Sequence, residues 1–227
     1  MIIDIIIPAY NEEKSIGKVL KDIPTGLARE VIVCNNNSSD LTKSVAQNHG
    51  ATVVDQPRKG YGSACLKGMD HVAKKAEKPD VVVFLDGDYS DHPEEMPLLL
   101  EPIINDDCDL VIGSRALGNL EKGSMQPQQV FGNWLATTLI KMIYRIEFTD
   151  LGPFRAIKYD SLLKINMEDP DFGWTVEMQV KAAKLGLKCK EIPVTYRKRV
   201  GISKVSGTFK GTILAGHKIL WTIFKLI

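Results

Sequence analysis

A mostly parallel α/β sheet flanked by helices is the fold this sequence predicts, on three observations. The first is alternation. Short β-branched or apolar runs at 2–7, 31–34, 51–54, 81–85 and 110–113 are separated by stretches with apolar residues at helical spacing. Strands alternating with helices build right-handed βαβ units and therefore a parallel sheet. The second is size, because 227 residues can bury one full core. The third is the stretch Val81-Val82-Val83-Phe84-Leu85-Asp86-Gly87-Asp88, in which five apolar residues run straight into two carboxylates. An unbroken apolar run reads as a strand buried on both faces, and ligands bind at the carboxyl ends of such strands.

The elements follow in order. Residues 2–7 form the first strand, ended by Pro8, and Asn11-Glu12-Glu13 opens a helix with Ile16, Val19, Leu20 and Ile23 inward. Strand 31–34 leads to a helix starting near Ser38-Ser39-Asp40, and strand 51–54 leads to a helix over 62–76. The strand ending at Asp86 is followed by a helix over 93–105 and the strand 110–113. After Arg115 the texture changes. Residues 116–129, rich in Gly, Gln and Pro, predict a mobile loop, and 130–144 an amphipathic helix. A turn-rich stretch, 149–155, holds Asp150 and Arg155. A helix runs from Gly173-Trp174-Thr175 to Ala183 and ends at Gly186, before short strands at 187–192 and 194–196. The last helix, 212–227, is apolar with a lysine stripe. Residues 1–211 are thus one domain, divided by that change of texture into halves 1–115 and 116–211, and 212–227 an appended helix.

Composition removes several classes. With 29 Lys+Arg against 28 Asp+Glu the net charge is +1, without the basic excess of a general nucleic-acid binder. Cys34, Cys65, Cys108 and Cys189 are scattered, which argues against a zinc site or disulfide framework and for a reducing compartment such as the cytoplasm. The N-terminus has no basic region with a cleavage site, and no apolar run is long enough to span a bilayer.

Chemistry concentrates at the strand exits. Asp86 and Asp88 repel one another, so a buried pair needs a shared proton or a cation. A hard divalent ion held by carboxylate and substrate phosphate oxygens meets that need; two solvated acids ahead of Pro93 are the plain alternative. Gly87 between them leaves room for a close approach. At the first exit, Tyr10 could lie against a base and Glu12 reach sugar hydroxyls, or Asn11 and Glu12 could simply cap the next helix. The run Cys34-Asn35-Asn36-Asn37-Ser38-Ser39-Asp40 could read a base edge or form an Asn-rich turn. Arg58-Lys59-Gly60-Tyr61-Gly62 precedes a helix and suits a sugar or phosphate, although Cys65 replaces the third glycine of a dinucleotide fingerprint. The segment 197–210 carries five cations and no acid, which suits an anion or a solvated loop.

Four of these stretches, Ile7-Pro8-Ala9-Tyr10-Asn11-Glu12, residues 31–42, Phe84-Leu85-Asp86-Gly87-Asp88 and Val111-Ile112-Gly113-Ser114-Arg115, together resemble family 2 glycosyltransferases. Thr149-Asp150-Leu151-Gly152-Pro153-Phe154-Arg155, Glu191-Ile192-Pro193-Val194-Thr195-Tyr196 and Gly201-Ile202-Ser203-Lys204 narrow the resemblance to the dolichyl-phosphate mannose and glucose synthase-like branch. It covers essentially the whole chain. It implies a GT-A (Rossmann-like) fold, a nucleotide-sugar donor such as UDP-glucose or GDP-mannose, and Mg2+ or Mn2+. It places Pro8, Tyr10 and Glu12, with Lys59, around the nucleotide. Asn35 stands where the family usually has a base-binding aspartate, and an amide oxygen can still accept that bond. Asp86 would face the nucleotide and ribose, and Asp88 the metal. Arg115, Arg155, Arg199 and Lys204 would gather near the donor diphosphate and an acceptor phosphate. The last cluster is one residue shorter than usual, so any of Arg197, Lys198 and Arg199 could point inward.

The implied chemistry is in-line attack at the anomeric carbon with inversion. A polyprenyl phosphate acceptor is already anionic and needs placement more than a base. A glycan or lipid hydroxyl needs a carboxylate, for which Asp150 and Glu177 are the candidates. Their structural alternatives are a turn acid paired with Arg155 and a helix-start acid. In the terminal helix Lys210, Lys218 and Lys225 share a stripe with His217, opposite Leu220, Trp221, Ile223, Phe224 and Ile227. This suits peripheral attachment to the cytoplasmic membrane face, or packing on the domain or on a second subunit. A nucleotidyltransferase would need a glycine- and cation-rich loop after the first strand, which residues 8–13 do not offer. A sugar-nucleotide sensor would not need the paired Asp86 and Asp88.

Overall fold

The structure, a computed structural model, describes residues 1–201 and 209–227, with side chains from 214 onward in the second stretch. Lys204 with the rest of 202–208, expected to meet an anion, and the side chain of Lys210 lie outside the described residues.

The predicted alternation is present as β1 (Ile3–Ala9), α1 (Ile16–Asp22), β2 (Glu30–Asn35), α2 (Thr42–Asn48), β3 (Thr52–Asp55), α3 (Tyr61–Ala73), β4 (Val81–Phe84), α4 (Met96–Asn105) and β5 (Leu110–Ser114). A single 3-10 turn, Pro93–Glu95, leads into α4. The second half adds α5 (Pro127–Tyr144), β6 (Arg155–Lys158), α6 (Tyr159–Ile165), α7 (Trp174–Lys184), β7 (Cys189–Pro193) and α8 (Phe209–Lys225). Seven strands form one sheet in the order β3-β2-β1-β4-β6-β5-β7. It is parallel except for β6, which runs antiparallel between β4 and β5.

The strands are apolar on both faces because helices cover both. Ile3, Ile5 and Ile7 of β1 point to the layer holding Ile16, Val19, Leu99 and Ile103. Ile6 points to the other layer, with Phe84, Trp174 and Ile223. Asp4 shares that second side and is fully buried, a cost met by Arg29 and Lys75, each 2.6 Å from its Oδ2.

Three expectations are corrected. The turn-rich stretch ends in a strand, since Arg155 opens β6, and α6 follows it directly. The helix after the 116–126 loop begins at Pro127, a favoured first helical position, behind a reciprocal pairing of Gln126 and Gln129. Residues 194–196 form no strand; Tyr196 makes isolated bridges to Asp91 and Leu120.

Candidate active site

The cleft begins where β1 parts from β4. Chain order reverses there, β2 and β3 lying to one side of β1 and β4 to the other, which makes this the switch point of the sheet. Pairing of β1 with β4 ends at Ile6–Phe84, while pairing with β2 runs on to Ala9–Asn35. Pro8 has no N–H to continue the ladder. The strand ends splay, and a cleft of about 510 Å³ opens above them.

Pro8, Tyr10, Glu12, Lys59, Asp86, Gly87, Asp88, Arg115 and Arg199 all line it. The opposite wall is made by Gln128, Gln129, Gly132 and Asn133 of α5, Leu151, Phe172 and Thr175, and Ala215, Gly216 and Ile219 of α8. Lys59 Nζ lies 5.0 Å from the centre of the Tyr10 ring and 3.2 Å from its hydroxyl. A cation–π pair of this kind holds the ring against this end of the cleft.

Asp86 accepts a hydrogen bond from the Tyr61 hydroxyl at 2.9 Å. Burial, reinforced by the charge of Asp88, pushes its carboxyl up to about 7. Asp88 is 5% exposed, and its Oδ1 accepts from the Ser90 N–H at 2.9 Å and from the Ser90 hydroxyl. Its Oδ2 faces Arg199 Nη2 at 3.0 Å. Gly87 is needed more for packing than for a ligand, since a Cβ there would stand 3.2 Å from the Pro8 carbonyl.

The structure sorts the cations. Arg115 donates from its backbone N–H, Nε and Nη2 to Asp150 at 2.7, 2.8 and 2.6 Å, and its guanidinium stacks 5.0 Å from the Tyr196 ring centre. Burial works against its charge, but Asp150 outweighs burial and the guanidinium is held more firmly protonated than usual. Of the three basic residues after Tyr196, Arg199 is the one that lines the cleft. Arg197 lies over the Tyr89 ring at 3.5 Å and donates to the Tyr89 and Asp91 carbonyls, while Lys198 pairs with Glu121.

Four predicted residues stand elsewhere. Arg155 is fully buried and donates to the carbonyls of Gly152, Thr175 and Leu151. Burial pulls its guanidinium down to about 10. It braces the 149–154 turn against α7, away from the cleft. Asp150 is committed to Arg115, not to Arg155, and its carboxylate does not line the cleft. Glu177 accepts from the N–H groups of Glu168 and Asp169 at 3.1 and 2.8 Å and pairs with Lys181 at 2.8 Å. Neither carboxylate is placed as a base. Asn35 turns to Asp55 at 2.9 Å, and Asn36, next in the chain, lines the cleft and accepts from the Gly60 N–H at 2.9 Å.

Gly60 and Gly62, at the start of α3, also differ from their reading as a phosphate loop. The N–H groups of Gly62 and Ser63 donate to the carbonyls of Asp171 and Pro170 at 3.3 and 2.7 Å. A Cβ at Gly62 would lie 1.9 Å from the Asp169 carbonyl, so the glycine admits the 169–171 loop. Asp91 carries no signal in the sequence beyond its nearness to Asp88. It is 1% exposed, and neither carboxylate oxygen has a hydrogen-bond partner among the described residues.

The donor set fits a hard cation only in part. Among the described residues no three His, Cys, Asp or Glu side chains converge as a complete metal site. Asp86 and Asp88 offer carboxylate oxygens in the cleft, so the remaining ligands would be substrate phosphates and water, which Mg2+ and Mn2+ accept.

A family model described as glycosyl transferase family 2 matches residues 4–165. The chain belongs to glycosyltransferase family 2. Within this family it is 34% identical over 215 residues to an uncharacterised glycosyltransferase of Mycobacterium tuberculosis, covering 94% of each chain. It is 31% identical over 219 residues to the dolichyl-phosphate hexose transferase of Haloferax volcanii, covering 95% of this chain and 91% of that one. It is 30% identical over 221 residues to the undecaprenyl-phosphate mannosyltransferase of Micrococcus luteus, covering 91% and 88%. These relatives support the dolichyl-phosphate sugar synthase-like branch. Among solved structures, glucosyl-3-phosphoglycerate synthase from Mycobacterium tuberculosis, in complex with Mn2+, UDP and glucosyl-3-phosphoglycerate, superposes with a TM-score of 0.76 at 23% identity, covering 99% of this chain and 79% of that one. The glycosyltransferase domain thus has the GT-A fold.

Proposed function

We propose that this glycosyltransferase moves a hexose, with inversion, from a nucleoside-diphosphate sugar to a polyprenyl phosphate at a membrane surface. The observation that carries the reading is the convergence of Asp86, Asp88, Arg115 and Arg199 in one cleft whose far wall mixes the amides of Gln128, Gln129 and Asn133 with apolar side chains. Asp86 and Asp88 would hold Mg2+ or Mn2+, which supplies Lewis-acid neutralisation of the leaving diphosphate. Tyr10, Glu12, Asn36 and Lys59 sit where a nucleoside would lie, and Arg115 and Arg199 where phosphates would. Leu151, Phe172 and Ile219 give the cleft an apolar flank suited to a prenyl chain.

The acceptor assignment rests on chemistry. Asp150 and Glu177, the carboxylates that could have served a hydroxyl acceptor, are both committed to other partners. An acceptor phosphate oxygen is already anionic, so it needs positioning by cations rather than deprotonation. The relatives that carry the names dolichyl-phosphate hexose transferase and undecaprenyl-phosphate mannosyltransferase support the same acceptor class.

The testing experiment is a donor screen by calorimetry with UDP-glucose, UDP-galactose, UDP-N-acetylglucosamine and GDP-mannose. Each is measured with and without Mn2+, on wild type and Asp88→Ala, and followed by transfer to a short polyprenyl phosphate. One donor should bind in a metal-dependent way that the substitution abolishes, and its sugar should appear on the lipid. Metal-dependent binding with transfer only to a hydroxyl acceptor would reject the lipid-phosphate assignment.

A further inference from the structure

Asp88 has one oxygen left to give. Its Oδ1 is closed by the Ser90 amide and hydroxyl, so Oδ2 is the atom a cation would take. Arg199 Nη2 already stands 3.0 Å from it. The position is built by the backbone. The Arg197 N–H donates to the Ser90 carbonyl at 2.9 Å and the Val200 N–H to the Asp88 carbonyl at 3.0 Å, so 197–200 runs along the carboxylate turn and delivers Arg199 to it. The neighbouring cations are occupied elsewhere, Arg115 by Asp150, Arg197 by Tyr89 and Lys198 by Glu121. A carboxylate 95% buried among other acids requires a positive charge close by.

We propose that Arg199 is a stand-in cation at Asp88 Oδ2. Its guanidinium holds Asp88 Oδ2 in the free enzyme, yields that oxygen to the incoming divalent ion, and then serves the donor diphosphate. The inference rests on the reading of Asp88 as the ion's ligand. Its consequence is thermodynamic. The ion alone must displace Arg199 and lie beside a guanidinium that has lost its carboxylate and keeps only Tyr196, so it binds weakly. A nucleoside diphosphate gives Arg199 a new partner, so ion and nucleotide each raise the other's affinity.

The test is a Mn2+ titration followed by the electron paramagnetic resonance of the free ion, with and without UDP or GDP. It is run on full-length wild type, Arg199→Gln, Arg199→Met, Arg199→Lys and Asp88→Asn. Without nucleotide, Arg199→Gln and Arg199→Met should bind Mn2+ about ten-fold tighter than wild type, equivalent to one charge-assisted hydrogen bond of about 1.4 kcal/mol. With nucleotide their advantage should vanish or reverse, while Arg199→Lys should stay near wild type in both arms. Equal or weaker Mn2+ binding by both neutral variants without nucleotide, in protein with wild-type circular dichroism, overturns the proposal. Failure of the underlying metal reading looks different, because Asp88→Asn would then bind Mn2+ as wild type does in the presence of nucleotide.

Discussion

Asp86 couples the cleft to pH. Its folded value of about 7 lies above that of an ordinary carboxylate, because burial and then Asp88 disfavour the charged form. A raised carboxyl binds its proton more tightly folded than unfolded. Its contribution to stability is therefore present below the unfolded value, near pH 4, and is lost as pH rises through about 7. Cation binding has the opposite sense, since the proton must leave first. Mn2+ affinity, measured by titration from about pH 5 to about pH 9, should rise up to about pH 7 and level off, and Asp86→Asn should remove the step. Arg115 is the second residue with a defined expectation. Asp150 is 1% exposed and takes three hydrogen bonds from Arg115, so Arg115→Ala should leave a buried carboxylate unpaired. The expected cost is about 3–5 kcal/mol in denaturant unfolding. Arg115→Lys should recover only part of it, because an ammonium cannot reproduce the planar fork. At this scale the sequence revealed residue types more readily than their assignments. Asp86 and Asp88 could be read from position at a strand exit, whereas Arg199 stood as one of three candidates with Arg197 and Lys198. The exchange of Arg155 for structural duty could not, because an arginine three residues after a glycine looks the same whether it faces a phosphate or three backbone carbonyls.

At the scale of elements, α5 and α8 decide how an acceptor reaches the cleft. Both present one face to it and pack on each other. Away from it, α5 exposes Phe131 at 61% and Trp134 at 58%, with rings 5.8 Å apart, and α8 exposes Leu214, Trp221 and Phe224. No helix among the described residues is long and apolar enough to cross a membrane. Aromatic and aliphatic side chains left in water beside the cleft proposed to take a prenyl chain suit the interfacial layer of a bilayer. The sequence pointed to α8 alone and to its lysine stripe. Lys218 is instead held by Asp169 at 3.0 Å, and Ile223 and Thr222 are buried, so α8 is part of the domain. Deleting 221–227 would consequently damage the fold, since the Tyr144 hydroxyl donates to the Ile223 carbonyl at 2.7 Å. Surface substitution is the cleaner experiment. Phe131→Ser with Trp134→Ser, or Trp221→Ser with Phe224→Ser, should each lower sedimentation with anionic liposomes several-fold without changing the thermal midpoint. Retention of full binding by the combined fourfold variant would remove the membrane role from these helices.

At the scale of the molecule, the first half was legible and the junction of the halves was not. Alternating apolar runs specify a parallel sheet wherever strand and helix take turns, as they do up to β5. β6 breaks the rule because it is only Arg155–Lys158, begins with a buried cation and passes into α6 without a turn. Its place between β4 and β5 is nevertheless what joins β3-β2-β1-β4 to β5-β7 in one sheet. Arg155 is the brace at that junction. It ties the first residue of β6 to the carbonyls of Leu151 and Gly152 in the turn that carries Asp150, and to Thr175 at the start of α7. Asp150 in turn holds Arg115 at the end of β5, and Arg115 lines the cleft. Arg155→Met keeps much of the volume but strands those three carbonyls in an apolar interior. The loss should be about 3–5 kcal/mol, read as a fall in melting temperature on the order of 10 °C for a chain of this size. Arg199→Gln should lower it less, because the Arg199 side chain is 28% exposed and Asp88 keeps its two hydrogen bonds from Ser90. If Arg155→Met melted like wild type yet lost donor binding, the guanidinium would be a ligand after all. A low melting temperature, with donor affinity recovered at reduced temperature, is the outcome that its burial and carbonyl partners predict.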